Sequence, residues 1–240
     1  MKTKQTFESL MDQFQDHFDL HTVFDDFLTI AIALCGRNPH TGRSFDEALY
    51  LQVIEKYKHH DLRCNFPKML STLTLQVTER IESNQGCDIL GEYYESRLGN
   101  EKTSELFIPY PICRFMARSA ISNVERINPK TRFQVLDPEC GSGRMMIDMA
   151  FVSGKKHHYF GIDSNLTFVK MTVLSLFLCG VVSAEVMCAD ADIPHDFHGS
   201  YKISLWPYGI FRQDVKERSQ LWRVANSIVL PTEMSKVHQN

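Results

Sequence analysis

The apolar positions at the start of the chain recur with helical spacing. They fall at Phe7, Leu10, Met11, Phe14 and Phe18, then at Val23, Phe24, Phe27, Leu28 and Ile32, with acids on the other face. This predicts helix from Phe7 to about Leu34. Cys35–Gly36 closes the run, and Asn38–Pro39–His40–Thr41–Gly42 reads as a loop. Ser44 and Glu47 have the spacing of a capping box and predict a helix over Phe45–Lys58. Pro67–Ser83 and Asp88–Leu98 follow as two further helical stretches.

The period changes after the polar connector Asn100–Ser104, so residues 1–103 are expected as a helical N-terminal domain and 104–240 as a second domain. Glu105–Pro111 is extended, because its two prolines restrict the residues before them, and Ile112–Val124 is helical. Strand and helix then alternate: strand Gln134–Leu136, helix 143–153, strand His158–Ile162, helix Leu166–Cys179, strand Glu185–Cys188 and strand Lys202–Leu205. Helix Arg212–Ala225 and strand Ser227–Leu230 complete the expected order. Such alternation predicts an α/β fold, a parallel sheet with helices on both faces.

Charge and composition narrow the function classes. With 26 Lys+Arg against 29 Asp+Glu the net charge is −3, so no overall basic footprint for nucleic acid exists. The distribution is uneven: the first 35 residues hold two lysines and six acids, whereas Tyr201–Asn240 holds six basic residues and three acids. A polyanion would meet the C-terminal part. Seven cysteines (35, 64, 87, 113, 140, 179, 188) form no CxxC pair, which fits neither a zinc site nor a disulfide framework and points to a reducing, cytoplasmic home. Met171–Val182, the most apolar run, is too short to span a bilayer, and Met1–Gln5 lacks an apolar signal core, so no membrane is expected. His59–His60 and His157–His158 are adjacent pairs whose side chains diverge, so no metal is expected.

The chemistry concentrates at Val135–Leu136–Asp137–Pro138–Glu139–Cys140–Gly141–Ser142–Gly143, where an apolar strand ends in an acid and a Gly-rich turn leads into a helix. That order offers backbone N–H groups and a helix N-terminus to a ligand. Three more positions lie at expected strand ends: Asp163, 20 residues after Gly143, where a ribose-binding acid belongs; Asp190; and Trp206–Pro207–Tyr208. Open α/β sheets bind ligands at this edge. A single GxG, in place of GxGxxG, argues against a dinucleotide such as NAD.

Asp137–Pro138–Glu139–Cys140–Gly141–Ser142–Gly143 resembles the D-P-x-C-G-S-G motif of adenine-N6 DNA methyltransferases, in particular the modification subunit of type I restriction–modification systems. Asp88–Glu95 and Phe107–Ile108–Pro109 resemble two further segments of that family, so the likeness extends over about residues 1–231. The resemblance implies a Rossmann-like, S-adenosylmethionine-dependent methyltransferase sheet. Gly141 and Gly143 would allow close approach of the cofactor's methionine part, with Pro138 in the same loop. Asp137 would face the methionine ammonium or order the turn, Asp163 the ribose hydroxyls, and Asp190 the adenine amino group. Phe107 and Pro109 would cover the cofactor, and Cys140 would pack beneath the loop. DNA, reached through a separate specificity subunit, is the implied partner.

The chain departs from that family at the base-handling motif, [D/N/S]-P-P-[F/Y/W]. Aligned on Pro207 and Tyr208, the polar position holds Leu205, which accepts no hydrogen bond, and Trp206 replaces the first proline. Only 32 residues follow Tyr208, so a C-terminally short sheet is expected. Its open edge would need cover from a second copy, an active methyltransferase partner or a loop. Two functions stay open: a DNA adenine-N6 methyltransferase, or a catalytically inactive homologue that binds or regulates.

Overall fold

The computed structural model describes residues 5–36, 46–99, 107–127, 131–193, 196–206 and 208–234. The expected connector and domain boundary at 100–104, and Ser44, lie outside them.

Helices make up the first part: α1 (Phe7–Met11), α2 (Leu20–Cys35), α3 (Glu47–Glu55), α4 (Asn65–Glu82) and α5 (Ile89–Tyr93), the last continuing as a π turn over Tyr94–Leu98. The single helix expected over 7–34 is broken in two. Asp19 does this: its carboxylate accepts from the Thr22 N–H at 2.9 Å and starts α2 afresh. Asp46 caps α3 in the same way, through the Leu49 N–H at 3.2 Å.

Next come α6 (Tyr110–Ile127), β1 (Gln134–Asp137), α7 (Arg144–Val152), β2 (His158–Asp163), α8 (Leu166–Leu178), β3 (Ala184–Cys188), β4 (Gly199–Leu205), β5 (Tyr208–Gln213) and α9 (Gln220–Met234). The sheet order is β1-β2-β3-β4-β5. Strands β1, β2 and β3 run parallel, with Asp137 opposite Gly161 and Asp163 opposite Cys188.

The second half of the sheet departs from expectation. β4 runs antiparallel to β3, with Gly199 opposite Cys188, and β5 returns antiparallel to β4. A parallel crossover takes a dozen or more residues, usually a helix. Only ten residues, 189–198, separate β3 from β4, so the chain folds straight back. Arg212 and Gln213, expected to open a helix, end β5 instead, and 227–230, expected as a strand, lie inside α9. A short apolar run satisfies either period, and the pairing of Leu205 with Tyr208 commits 208–213 to the hairpin.

Both faces of the sheet are covered, as expected. Tyr159, Val186, Tyr201, Ile203 and Ile210 pack with α7, α8 and the N-terminal helices in one core that runs through both halves of the chain. Phe160, Ile162 and Met187 pack on the other face against Leu221 and Trp222 of α9. Lys170 of α8, buried, is tied to Asp25 of α2 at 2.8 Å. The end of α2 packs closely on the face of β5, since a Cβ at Gly209 would lie 2.8 Å from the Cys35 carbonyl oxygen. At the other edge Leu136 of β1 is 54% exposed.

Candidate cofactor site

Asp137, Asp163 and Cys188 end the three parallel strands at one edge, and the turn 138–143 curls over that edge. Its course is fixed from both sides. The Cys140 N–H donates to the Ile162 carbonyl at 3.0 Å, the Gly141 N–H to Asp163 Oδ2 at 2.9 Å, and the Thr172 hydroxyl to the Gly141 carbonyl at 2.8 Å. Gly141 and Gly143 have φ of +53° and +83°, the left-handed region that glycine tolerates. At Gly143 a Cβ would also come 2.8 Å from Thr172 Cγ2. The loop is therefore tight against α8 on its inner side.

Cys140 is buried against Gly161 of β2, where a Cβ would lie 3.0 Å from its sulfur. Burial holds its thiol well above the ordinary range and disfavours the thiolate. The Asp163 carboxylate accepts from two backbone N–H groups, Gly141 and Asn165 (2.8 Å), which leaves each oxygen a further lone pair. Burial raises the pKa of Asp163 against those two hydrogen bonds, and it raises that of Asp137 as well. Asp190 is exposed beyond β3 and accepts from the Asp192 N–H at 2.8 Å.

Two clefts meet at Glu139 and Gly141. One, about 560 Å³, is lined by Pro138, Asp163, Asn165, Phe168, Asp190 and Asp192 among others, and among the described residues none that lines it is basic. The other, about 260 Å³, is lined by Phe107, Met116, Leu136, Asp137, Ser142 and Met145 among others. Phe107 is buried and packs edge-on to Phe168 at 5.8 Å. Pro109 stands exposed at the start of α6, where its carbonyl accepts from the Ile112 N–H at 2.9 Å.

Of the residues expected at the site, Phe107, Asp137, Pro138, Cys140, Gly141, Asp163 and Asp190 line these clefts, with Gly143 heading α7 just behind. The 205–208 motif does not join them. Because β4 runs away from the loop edge, Leu205 and Tyr208 lie at the opposite end of the sheet, a strand's length or roughly 20 Å off. Leu205 is 64% and Trp206 87% exposed, Tyr208 stacks on Phe177 at 4.8 Å, and Pro207 lies outside the described residues. Sequence reasoning missed Phe168 and Thr172, which only the fold brings to the loop, and the role of Arg144, whose partners are distant in sequence. Among the described residues no cluster could hold a metal ion, and no helix is long and apolar enough to cross a membrane.

A parallel β-α-β-α-β unit with a left-handed glycine turn over an acid-lined edge is an arrangement with which α/β proteins bind nucleotides and nucleosides. The comparison with protein families narrows that class. Residues 85–198 match the N-6 DNA methylase family model. No curated protein matches. Among solved structures, the chain is similar to the crystal structure of the type I restriction–modification system methyltransferase subunit from Streptococcus thermophilus. Identity is 17% and the TM-score 0.37, over 81% of this chain and 60% of that one. The chain thus spans less than two thirds of that subunit.

Proposed function

We propose that the protein binds S-adenosylmethionine as a DNA adenine-N6 methyltransferase-type subunit, and that the site formed by this chain alone holds the cofactor without a base pocket. The observation that carries the reading is the charge of the 560 Å³ cleft: Glu139, Asp163, Asp190 and Asp192 line it, and among the described residues no Lys or Arg does. A pyrophosphate-bearing dinucleotide would be repelled there, whereas a nucleoside bearing a sulfonium and an ammonium is attracted. The two glycines hold the loop's course, Gly141 through its φ of +53° and Gly143 through its φ of +83° and its close approach to Thr172.

When bound, the cofactor supplies an electrophilic methyl group. The chain's own residues do the holding. Asp163 accepts from the ribose hydroxyls and Asp190 from the adenine amino group. Asp137 faces the ammonium, and Phe107 with Ile108 walls the second cleft, Pro109 standing just outside its lining.

Methyl transfer also needs an acceptor for the adenine amino protons and an aromatic platform beside the methyl. Leu205 and Tyr208 are at the far end of the sheet, which favours a second reading: alone, the chain is an inactive homologue that binds cofactor and acts with a partner, DNA being reached through a specificity subunit or an active methyltransferase.

Calorimetry with S-adenosylmethionine is the test of the first part. Binding is expected, with NAD as a silent control; no heat at millimolar cofactor with folded protein would refute it. Labelled methyl appearing on adenine when the chain is incubated alone with mixed-sequence DNA would refute the second.

A further inference from the structure

Segment Asp88–Glu95 touches neither cleft, yet it anchors the loop between them. Asp88 is fully buried. Its Oδ1 accepts from the Gly91 N–H at 2.9 Å, capping α5. Its Oδ2 accepts from the Ser142 hydroxyl at 2.6 Å and from Arg144 Nε at 2.8 Å, both on the glycine turn or the helix start behind it. Gly91 makes room for this arrangement, since a Cβ there would come 2.2 Å from Asp88 Oδ2.

Arg144 is the first residue of α7, where the helix dipole disfavours a cation, and it is 6% exposed. Such a position is tenable only because the whole guanidinium fork is engaged. Besides Asp88, Nη2 donates to Glu95 at 2.9 Å, and Nη1 donates to the Ile108 carbonyl at 3.0 Å. Its guanidinium also lies over the rings of Phe107 and Tyr110, at 5.5 and 4.9 Å. The Tyr110 hydroxyl accepts from the Asp88 N–H. Three segments distant in sequence, 88–95, 107–110 and 141–144, thereby meet on one ion pair. A turn of two left-handed glycines and a serine has little side chain with which to fix its own position, so an outside anchor sets it.

We propose that Asp88 and Arg144 are positioning residues: the buried pair clamps the Phe107–Ile108 wall against the Gly141–Gly143 turn at the separation S-adenosylmethionine needs, and so couples cofactor binding to helix α5. This rests on the cofactor reading above, but the clamp has its own readout in ligand-free protein.

The experiment compares wild type, Asp88→Asn, Arg144→Met and Arg144→Lys by hydrogen exchange without ligand and by calorimetry with S-adenosylmethionine, after thermal unfolding shows each is folded. Expected is exchange at least tenfold faster at both 107–109 and 138–146 in Asp88→Asn and Arg144→Met, with β2 and β3 unchanged and affinity down at least tenfold. Arg144→Lys, which keeps a cation beside Asp88, should recover part of both. Unchanged exchange at the two segments overturns the clamp, and so does lost affinity without faster exchange. Faster exchange in variants of a wild type that binds no cofactor supports the clamp and refutes the cofactor reading instead. If the buried-pair variants do not fold, Glu95→Gln on the more exposed arm carries the same two outcomes.

Discussion

Asp163 joins two jobs that pull in opposite directions. It anchors the glycine turn through the Gly141 N–H and, in the proposed reading, accepts from the ribose. Losing hydrogen bonds to a charged group costs about 1.5–3 kcal/mol. Asp163→Ala is therefore expected to weaken cofactor binding by roughly tenfold or more in calorimetry. Gly143→Ala forces a side chain into φ +83° and within 2.8 Å of Thr172 Cγ2, and denaturant unfolding should show a loss of more than about 1 kcal/mol. Acid acts on these carboxylates with a definite sign. Burial lifts Asp88 to about 6 against the pull of Arg144, and raises Asp137, Asp148 and Asp163 too. The folded state then holds these protons more tightly than the unfolded chain, so their contribution to stability is full below the ordinary carboxylate range and is lost as pH rises through the raised values. Ligand-free protein should gain stability on acidification from pH 7.5 to 5.5, and Asp88→Asn should lose part of that gain. Cofactor affinity should run the other way and fall with acid, because Asp163 must be ionised to accept from both ribose hydroxyls.

Among the elements, β1, β2 and β3 were legible to within a residue, because their apolar runs end in Asp137, Asp163 and Cys188 and are separated by helices of ordinary length. Strand direction was not legible in the period of β4. The sign lay in the connector: ten residues cannot carry a crossover, so β4 turns back and takes Leu205–Tyr208 away from the loop edge. A hairpin at that end serves the fold and not the cofactor. Tyr208→Ala should cost about 0.5–1.5 kcal/mol through its lost stacking on Phe177, read by thermal unfolding, and leave S-adenosylmethionine affinity unchanged. A tenfold drop in that affinity would place the hairpin at the site after all.

At the scale of the molecule, the helical part and the sheet do not stand apart. One apolar core runs from Phe7 and Phe24 through Phe168 to Ile203 and Ile210, and the Asp25–Lys170 pair crosses it at 2.8 Å. A single unfolding transition is the expected consequence. Asp25→Ala would leave the Lys170 ammonium buried with only Thr29 Oγ1 beside it, and should cost about 2 kcal/mol or more in denaturant unfolding. Solvent reaches the sheet at the other end, where Leu136 of β1 faces the 260 Å³ cleft with Met116 and Met145. That exposure sits beside the loop, on the side where the proposed reading lacks a base pocket.

Local information settled what local forces decide. The spacing of apolar residues, the Asp137–Gly143 turn and the acids at strand ends declared an α/β nucleotide-type site and the family motif, because turn chemistry and strand ends depend on neighbours a few residues away. Caps such as Asp19 and Asp88 were also written locally, since each carboxylate reaches a backbone N–H three residues on. The direction of β4, the distance of Tyr208 from the loop and the meeting of Asp88, Glu95, Ile108 and Arg144 depend on pairings across tens of residues. Those contacts are selected by burial and by which strand edge is free, quantities that exist only once the chain has folded.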